Sequence, residues 1–164
     1  MSALWVVLGL VALQRLAELV LSARNTRALL ARGGREVGAR HYPLLVLLHA
    51  SWLIAIAVVV PTETPIDWNW LAVFIALQAA RAWVIASLGP YWTTRIITLD
   101  EAPLVRRGPY RFMRHPNYLV VAGEIAALPM VFGAWRLALA YSLLNALVLW
   151  LRIRTENAAL AARS

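Results

Sequence analysis

The sequence predicts an all-α fold, an integral membrane bundle of five transmembrane helices in a single domain spanning residues 1–164. Three observations carry this reading. Hydrophobic residues make up 62% of the chain and charged residues 15%, against roughly 45–50% and 25% in an ordinary soluble domain. A small soluble protein leaves too much surface in water to hide that much apolar material. The apolar residues also fall into five separated runs, and all 16 basic residues are arginines gathered mainly in particular gaps between them. Without cysteine, a disulfide scaffold and a thiolate-ligated metal are excluded. The three histidines lack close spacing to each other or to carboxylates, so no metal site is expected. A net charge of +8 raises the question of nucleic acid, but no basic tract interleaved with glycine is present and no nucleic-acid partner is expected.

A spanning helix needs about 20 apolar residues. The first run, from Ala3 to about Ser22, is interrupted by Arg15 and Glu18. It lacks the basic start and small-residue cleavage site of a secretory signal. The turn-forming stretch Ala31-Arg-Gly-Gly-Arg35 follows. With Arg24 and Arg27 upstream, loop one is expected to continue the first helix and then lie on the membrane surface. The second and third runs are Leu44 to Val60 and Leu71 to Leu88. The last two, Tyr118 to Phe132 and Leu137 to Leu151, are short for full spans and leave room for a tilted or re-entrant hairpin. Gly133-Ala-Trp-Arg136 between them reads as a tight interfacial turn.

Loop charges orient the helices. Arg24, Arg27, Arg32, Arg35 and Arg40 against Glu36 give loop one +4. Glu63 and Asp67 give loop two −2. Arg95, Arg106, Arg107, Arg111 and Arg114 against Asp100 and Glu101 give loop three +3, and the tail from Arg152 sums to +2. Positive charge alternates with each crossing, which places loops one and three and the C-terminus in the cytoplasm and the N-terminus outside. Trp68, Trp70, Trp92, Trp135 and Trp150 lie near predicted helix ends, where an indole prefers the headgroup zone.

Ionisable residues within spans are costly and face protein or water. Arg15 and Glu18 are three apart, so they can pair on one helix face. Arg81 and Glu124 can pair across the bundle, and His49 reads as an interhelical hydrogen bonder. These residues argue for a polar interior without naming a reaction.

The most informative stretch is Leu104-Val-Arg-Arg-Gly-Pro-Tyr-Arg-Phe-Met-Arg-His-Pro-Asn-Tyr118. Pro116 suits the first turn of a helix, and His115 and Tyr118 would flank an N-terminus whose free N–H groups attract an anion. Arg106, Arg107 and Arg111 equally suit contact with anionic headgroups. Gly108-Pro-Tyr110 followed by Arg114-His-Pro-Asn-Tyr118, with Arg152-Ile-Arg-Thr-Glu156 after the last span, resembles the signature of the isoprenylcysteine carboxyl methyltransferase family and its phospholipid methyltransferase relatives. Arg15-Leu-Ala-Glu18, Ser22-Ala-Arg-Asn25, Gly33-Gly-Arg-Glu-Val-Gly38, His41-Tyr-Pro43 and His49 resemble a bacterial subgroup, some of whose members accompany type III polyketide synthases and O-methylate alkylpyrones.

The resemblance implies a membrane methyltransferase using S-adenosyl-L-methionine in a cytoplasmic pocket, with a lipophilic small molecule or lipidated acceptor drawn from the lipid bilayer. It places cofactor contacts on Ala102, Pro103, Leu104, Val105, Tyr110, His115, Pro116, Asn117, Tyr118 and Glu156, and acceptor contact on Arg152. Arg95 aligns loosely with a further cofactor position. An ionised carboxylate or acidic enol needs no general base, and Arg152 can orient such an oxyanion. The family often carries two adjacent glutamates where this chain has Glu156-Asn157. A phospholipid N-methyltransferase and a non-enzymatic scaffold or transporter subunit are the alternative readings. Small residues form no clean stripe that would fix an oligomeric state.

Overall fold

The computed structural model describes residues 2–99 and 105–161. Five α-helices form the bundle: α1 (Ala3–Ala31), α2 (Tyr42–Val59), α3 (Trp68–Leu88), α4 (Pro116–Val131) and α5 (Trp135–Ala161). Helices α1, α2, α3 and α5 are each long and apolar enough to cross a membrane, and α4 is a shorter apolar helix. The chain is thus a multi-pass membrane protein of helical architecture. Leucines such as Leu10, Leu13, Leu47 and Leu143 project outward over the helix surfaces, which lipid accepts and water would not.

Helix α1 runs nine residues past the apolar run ending at Ser22 as one continuous element, as expected for the start of loop one. The reason is a polar face, Glu18, Ser22 and Asn25, that is buried against the other helices and the loop after α3. Helix α5 spans 27 residues rather than a short run, because Arg152, Arg154 and Glu156 continue the helix beyond its apolar part. Only α4 is short, at 16 residues. It is sandwiched between α3 and α5 and buries Val120, Val121, Glu124, Ile125, Leu128 and Val131, so protein rather than lipid surrounds most of it. Pro116 stands in its first turn as expected. Gly133, at φ +66°, makes the tight turn into α5.

Past Ala31, loop one pairs with the segment after α3 instead of lying alone on the membrane surface. Residues Arg35–Val37 form strand β1, paired antiparallel with strand β2 (Ile96–Thr98) in the register Arg35–Thr98, Glu36–Ile97 and Val37–Ile96. Gly38, at φ +67°, lets the chain leave this ribbon beneath α5, where a Cβ would stand 2.7 Å from the Thr155 methyl. Trp92 departs from the interfacial expectation. It is 1% exposed, held in the interior because Asn25 Nδ2 donates to its carbonyl at 2.8 Å.

The apolar core occupies the end of the bundle away from the ribbon. Leu4, Leu8 and Val11 of α1 meet Trp52 and Ile56 of α2, Phe74 of α3, and Ile125, Leu128 and Val131 of α4. Asp67 caps α3 through the Asn69 and Trp70 amides, and its own N–H reaches the Val131 carbonyl at 2.8 Å. One end is packed solid; the other holds a cavity.

Candidate functional site

The cavity has a volume of about 1320 Å³. Its walls come from α1, α2, the segment around β2, the start of α4 and the end of α5. Val105, Tyr110, His115, Asn117, Tyr118, Arg152 and Glu156 all line it. Pro116 is buried behind them in the first turn of α4. Ala102, Pro103 and Leu104 lie outside the described residues.

The Gly108-Pro-Tyr110 motif forms a short 3-10 turn (Gly108–Arg111) pressed on the end of α3. Gly108 sits at φ +56°, and a Cβ there would come within 2.1 Å of Ser87 Oγ. Arg107 Nε fixes the turn by donating to the Ser87 carbonyl at 2.7 Å. Tyr110 is thereby directed into the cavity. Burial, and then the nearby Glu156 charge, push its hydroxyl pKa well above the usual tyrosine value, so it remains a neutral donor.

The two halves of the sequence signature meet here. Tyr118 donates its hydroxyl to Glu156 Oε2 at 2.6 Å. His115 Nδ1 stands 3.6 Å from the same oxygen, its ring stacks on Tyr118 at 5.4 Å, and its Nε2 lies 3.1 Å from Asn157 Oδ1. The amide that replaces a second glutamate therefore holds the histidine through its other nitrogen.

Arg152 is 5% exposed. Its Nη2 donates to the Thr94 carbonyl at 2.8 Å, its guanidinium lies 5.9 Å from the Tyr118 ring centre, and its Nε has no partner. Among the described residues it forms no ion pair. A buried guanidinium without an anion is costly, and this one lines the cavity.

Sequence reasoning missed Thr94, which organises this wall. Its N–H donates to Ser22 Oγ at 2.9 Å, its hydroxyl lies 2.8 Å from the same oxygen, and it reaches Tyr42 at 3.3 Å. Thr93 Oγ1 donates to the Arg95 carbonyl in the same turn. Arg95 is engaged by loop one: Nη1 contacts both Glu36 oxygens at 2.9 Å, and the guanidinium covers the Tyr42 ring at 4.4 Å. Helical spacing was the available signal, since Arg15, Glu18, Ser22 and Asn25 form one stripe at intervals of three and four.

Deeper in the bundle, the four charges form one cluster. Arg81 grips Glu18 with Nε at 2.5 Å and Nη2 at 2.6 Å, while its Nη1 reaches Glu124 at 3.1 Å. Arg15 bridges the same two carboxylates at 3.0 and 2.8 Å. Gln14 also donates to Glu18 Oε1 at 3.0 Å, and Gln78 donates to Glu124 Oε1 at 2.8 Å. Arg15 and Glu18 are thus half of a larger network rather than a self-neutralising pair. Among the described residues, His49 forms no hydrogen bond between helices. Its Nδ1 faces the Leu45 carbonyl of its own helix at 2.9 Å, because that carbonyl is four residues back.

Residues 70–162 match the isoprenylcysteine carboxyl methyltransferase family. The chain is 35% identical over 161 residues to the uncharacterized protein YpbQ of Bacillus subtilis (strain 168), covering 95% of each. It is 29% identical over 153 residues to an uncharacterized protein of Haemophilus influenzae, covering 90% of this chain and 88% of that one. No solved structure matches the chain. It belongs to the isoprenylcysteine carboxyl methyltransferase family, membrane enzymes that generally draw a methyl group from S-adenosylmethionine.

Proposed function

We propose that this chain transfers a methyl group from S-adenosyl-L-methionine to an ionised oxygen, a carboxylate or acidic enol, on a lipophilic acceptor. The observation that carries the oxyanion is Arg152, a buried guanidinium on the cavity wall with no carboxylate partner among the described residues. The residues near it suit the cofactor. Asn117 Oδ1 is buried without a hydrogen-bond partner, as an acceptor awaiting an amino or hydroxyl group would be. Glu156 can accept further hydrogen bonds from ribose or ammonium donors, and His115 with the α4 N-terminus can hold a carboxylate.

When bound, S-adenosylmethionine supplies an electrophilic methyl on a sulfonium, whose departure returns the bonding electron pair to sulfur. The protein's own part is alignment. Arg152 orients the acceptor oxyanion through charge-assisted hydrogen bonds and has no proton to remove from it. Tyr118 and Tyr110 place neutral ring faces where a cation is attracted, and Tyr118 fixes Glu156 in one rotamer. In-line displacement gains chiefly from such positioning.

The cavity also reaches lipid. Leu16 and Leu19 of α1 and Val46 of α2 line it and are exposed, an apolar wall suited to an alkyl tail entering sideways from the bilayer. The charged end, with loops one and three and the C-terminus, faces the cytoplasm, where the water-soluble cofactor arrives. The test is incubation of membrane lipid extract with purified protein and methyl-labelled cofactor. Label in an ester or enol ether is expected. Label on nitrogen, or no transfer, overturns the reading.

A further inference from the structure

The cavity carries a second polar level within the apolar part of the bundle. Ser22, Tyr42 and Arg152 all converge on Thr94 and so mark one level, where the reacting oxygen is proposed to sit. His49 follows Tyr42 by seven residues on α2, and Arg15 precedes Ser22 by seven on α1. At 1.5 Å per helical residue, both lie about 10 Å further into the bundle. Two helices running in opposite directions thus put polar side chains at the same depth. Both side chains line the cavity.

Each has one valence left over. His49 Nδ1 faces a carbonyl, which can only accept, so the ring donates there and a neutral imidazole turns Nε2 outward as an acceptor. Arg15 spends Nη1 and Nη2 on Glu18 and Glu124, while its Nε donor is buried without a partner. A plain alkyl chain passing this level would leave both atoms unsatisfied in a dry site, which is unfavourable. A hydroxyl donates and accepts, and so complements both.

We propose that His49 and Arg15 form a specificity station for the acceptor, which is an amphiphile bearing a hydroxyl about 10 Å from the methylated oxygen. This rests on the methyltransferase reading and narrows its substrate class. The station lies within the wall formed by Arg15, Glu18, Arg81 and His49. The neutral balance of two arginines and two glutamates there selects against a second charge and favours an uncharged polar group.

The test uses three tritiated acids with the full-length protein in lipid nanodiscs, corrected for uptake by empty discs. They are octadecanoic acid, 2-hydroxyoctadecanoic acid and 10-hydroxyoctadecanoic acid, whose hydroxyl lies roughly 10 Å from the carboxylate along an extended chain. The 10-hydroxy acid is expected to bind about tenfold more tightly than the other two. His49→Leu is expected to remove the preference, and His49→Gln, which retains a hydrogen-bonding side chain, to keep part of it. Equal affinity for all three acids in the wild type, no binding of any, or a preference that survives in correctly folded His49→Leu overturns the station. Methyl ester formation, read in parallel with labelled cofactor, reports separately on the parent reading. Transfer to all three acids without discrimination keeps the reaction and refutes the station. Selective binding without transfer keeps the station and refutes the carboxylate as methyl acceptor.

Discussion

Two buried arginines, Arg81 and Arg152, differ in how completely the protein satisfies their donors. Both are about 5% exposed. Arg81 spends Nε, Nη1 and Nη2 on two carboxylates, which in turn receive Arg15, Gln14 and Gln78. Arg152 has one backbone carbonyl, an unpartnered Nε and a cavity in front of it. The first cluster closes on itself and ties α1, α3 and α4 together. The second stays open, which is the feature the proposed acceptor site uses. Burial alone does not distinguish them; the count of satisfied donors does.

The contrast is broken most severely by removing one member of the closed cluster. Glu124→Leu leaves two arginines sharing a single carboxylate and is expected to destabilise the fold by about 3–5 kcal/mol, read as a large fall in thermal unfolding temperature in detergent. Arg152→Gln is expected to do the reverse: methyl transfer falls on the order of 100-fold while the unfolding temperature holds or rises, because an uncompensated buried charge is removed. If Arg152→Gln unfolds the protein and Glu124→Leu does not, the assignment of the two arginines is inverted.

Smaller changes sharpen the same division. Tyr118→Phe deletes a hydrogen bond to a charged oxygen and is expected to weaken cofactor affinity by about 1.5–3 kcal/mol, measured by titration calorimetry, with little change in stability. Glu36→Ala removes a part-exposed ion pair with Arg95. It is expected to cost only about 0.2–1 kcal/mol, and less at high salt, visible as faster amide exchange in the β1–β2 ribbon. An equally large loss of cofactor affinity from Glu36→Ala would mean that the ribbon is part of the binding surface.

Much of this architecture was legible in the residues. Hydropathy located all five helices, and the pairs Arg15–Glu18 and Arg81–Glu124 followed from cost in an apolar medium. The spacing Gly108-Pro-Tyr110 to His115 and Tyr118 marked one wall of the cavity. What escaped was set by tertiary contact. The β1–β2 ribbon is three residues per strand across some sixty residues of chain, and no local periodicity announces it. Loop one read as a membrane-surface segment because of its turn-forming stretch Ala31-Arg-Gly-Gly-Arg35 with Arg24 and Arg27 upstream, whereas Glu36 and Gly38 are committed to Arg95 and α5. Thr94 is an ordinary residue in sequence and becomes central only when Ser22, Tyr42 and Arg152 converge on it. The continuation of α1 into loop one was expected, and its polar stripe agrees, since Asn25 continues the face that Arg15, Glu18 and Ser22 begin.

The proposed reaction needs a cavity that joins a cofactor level, at His115, Tyr118 and Glu156, to an anion level at Arg152. Titration of S-adenosylmethionine into the purified protein in nanodiscs tests that division most directly. Saturable binding is predicted in the wild type, weakened about tenfold or more by Glu156→Ala and essentially unchanged by Arg152→Gln. Absence of saturable binding, or binding that Glu156→Ala and His115→Ala leave intact, would contradict it.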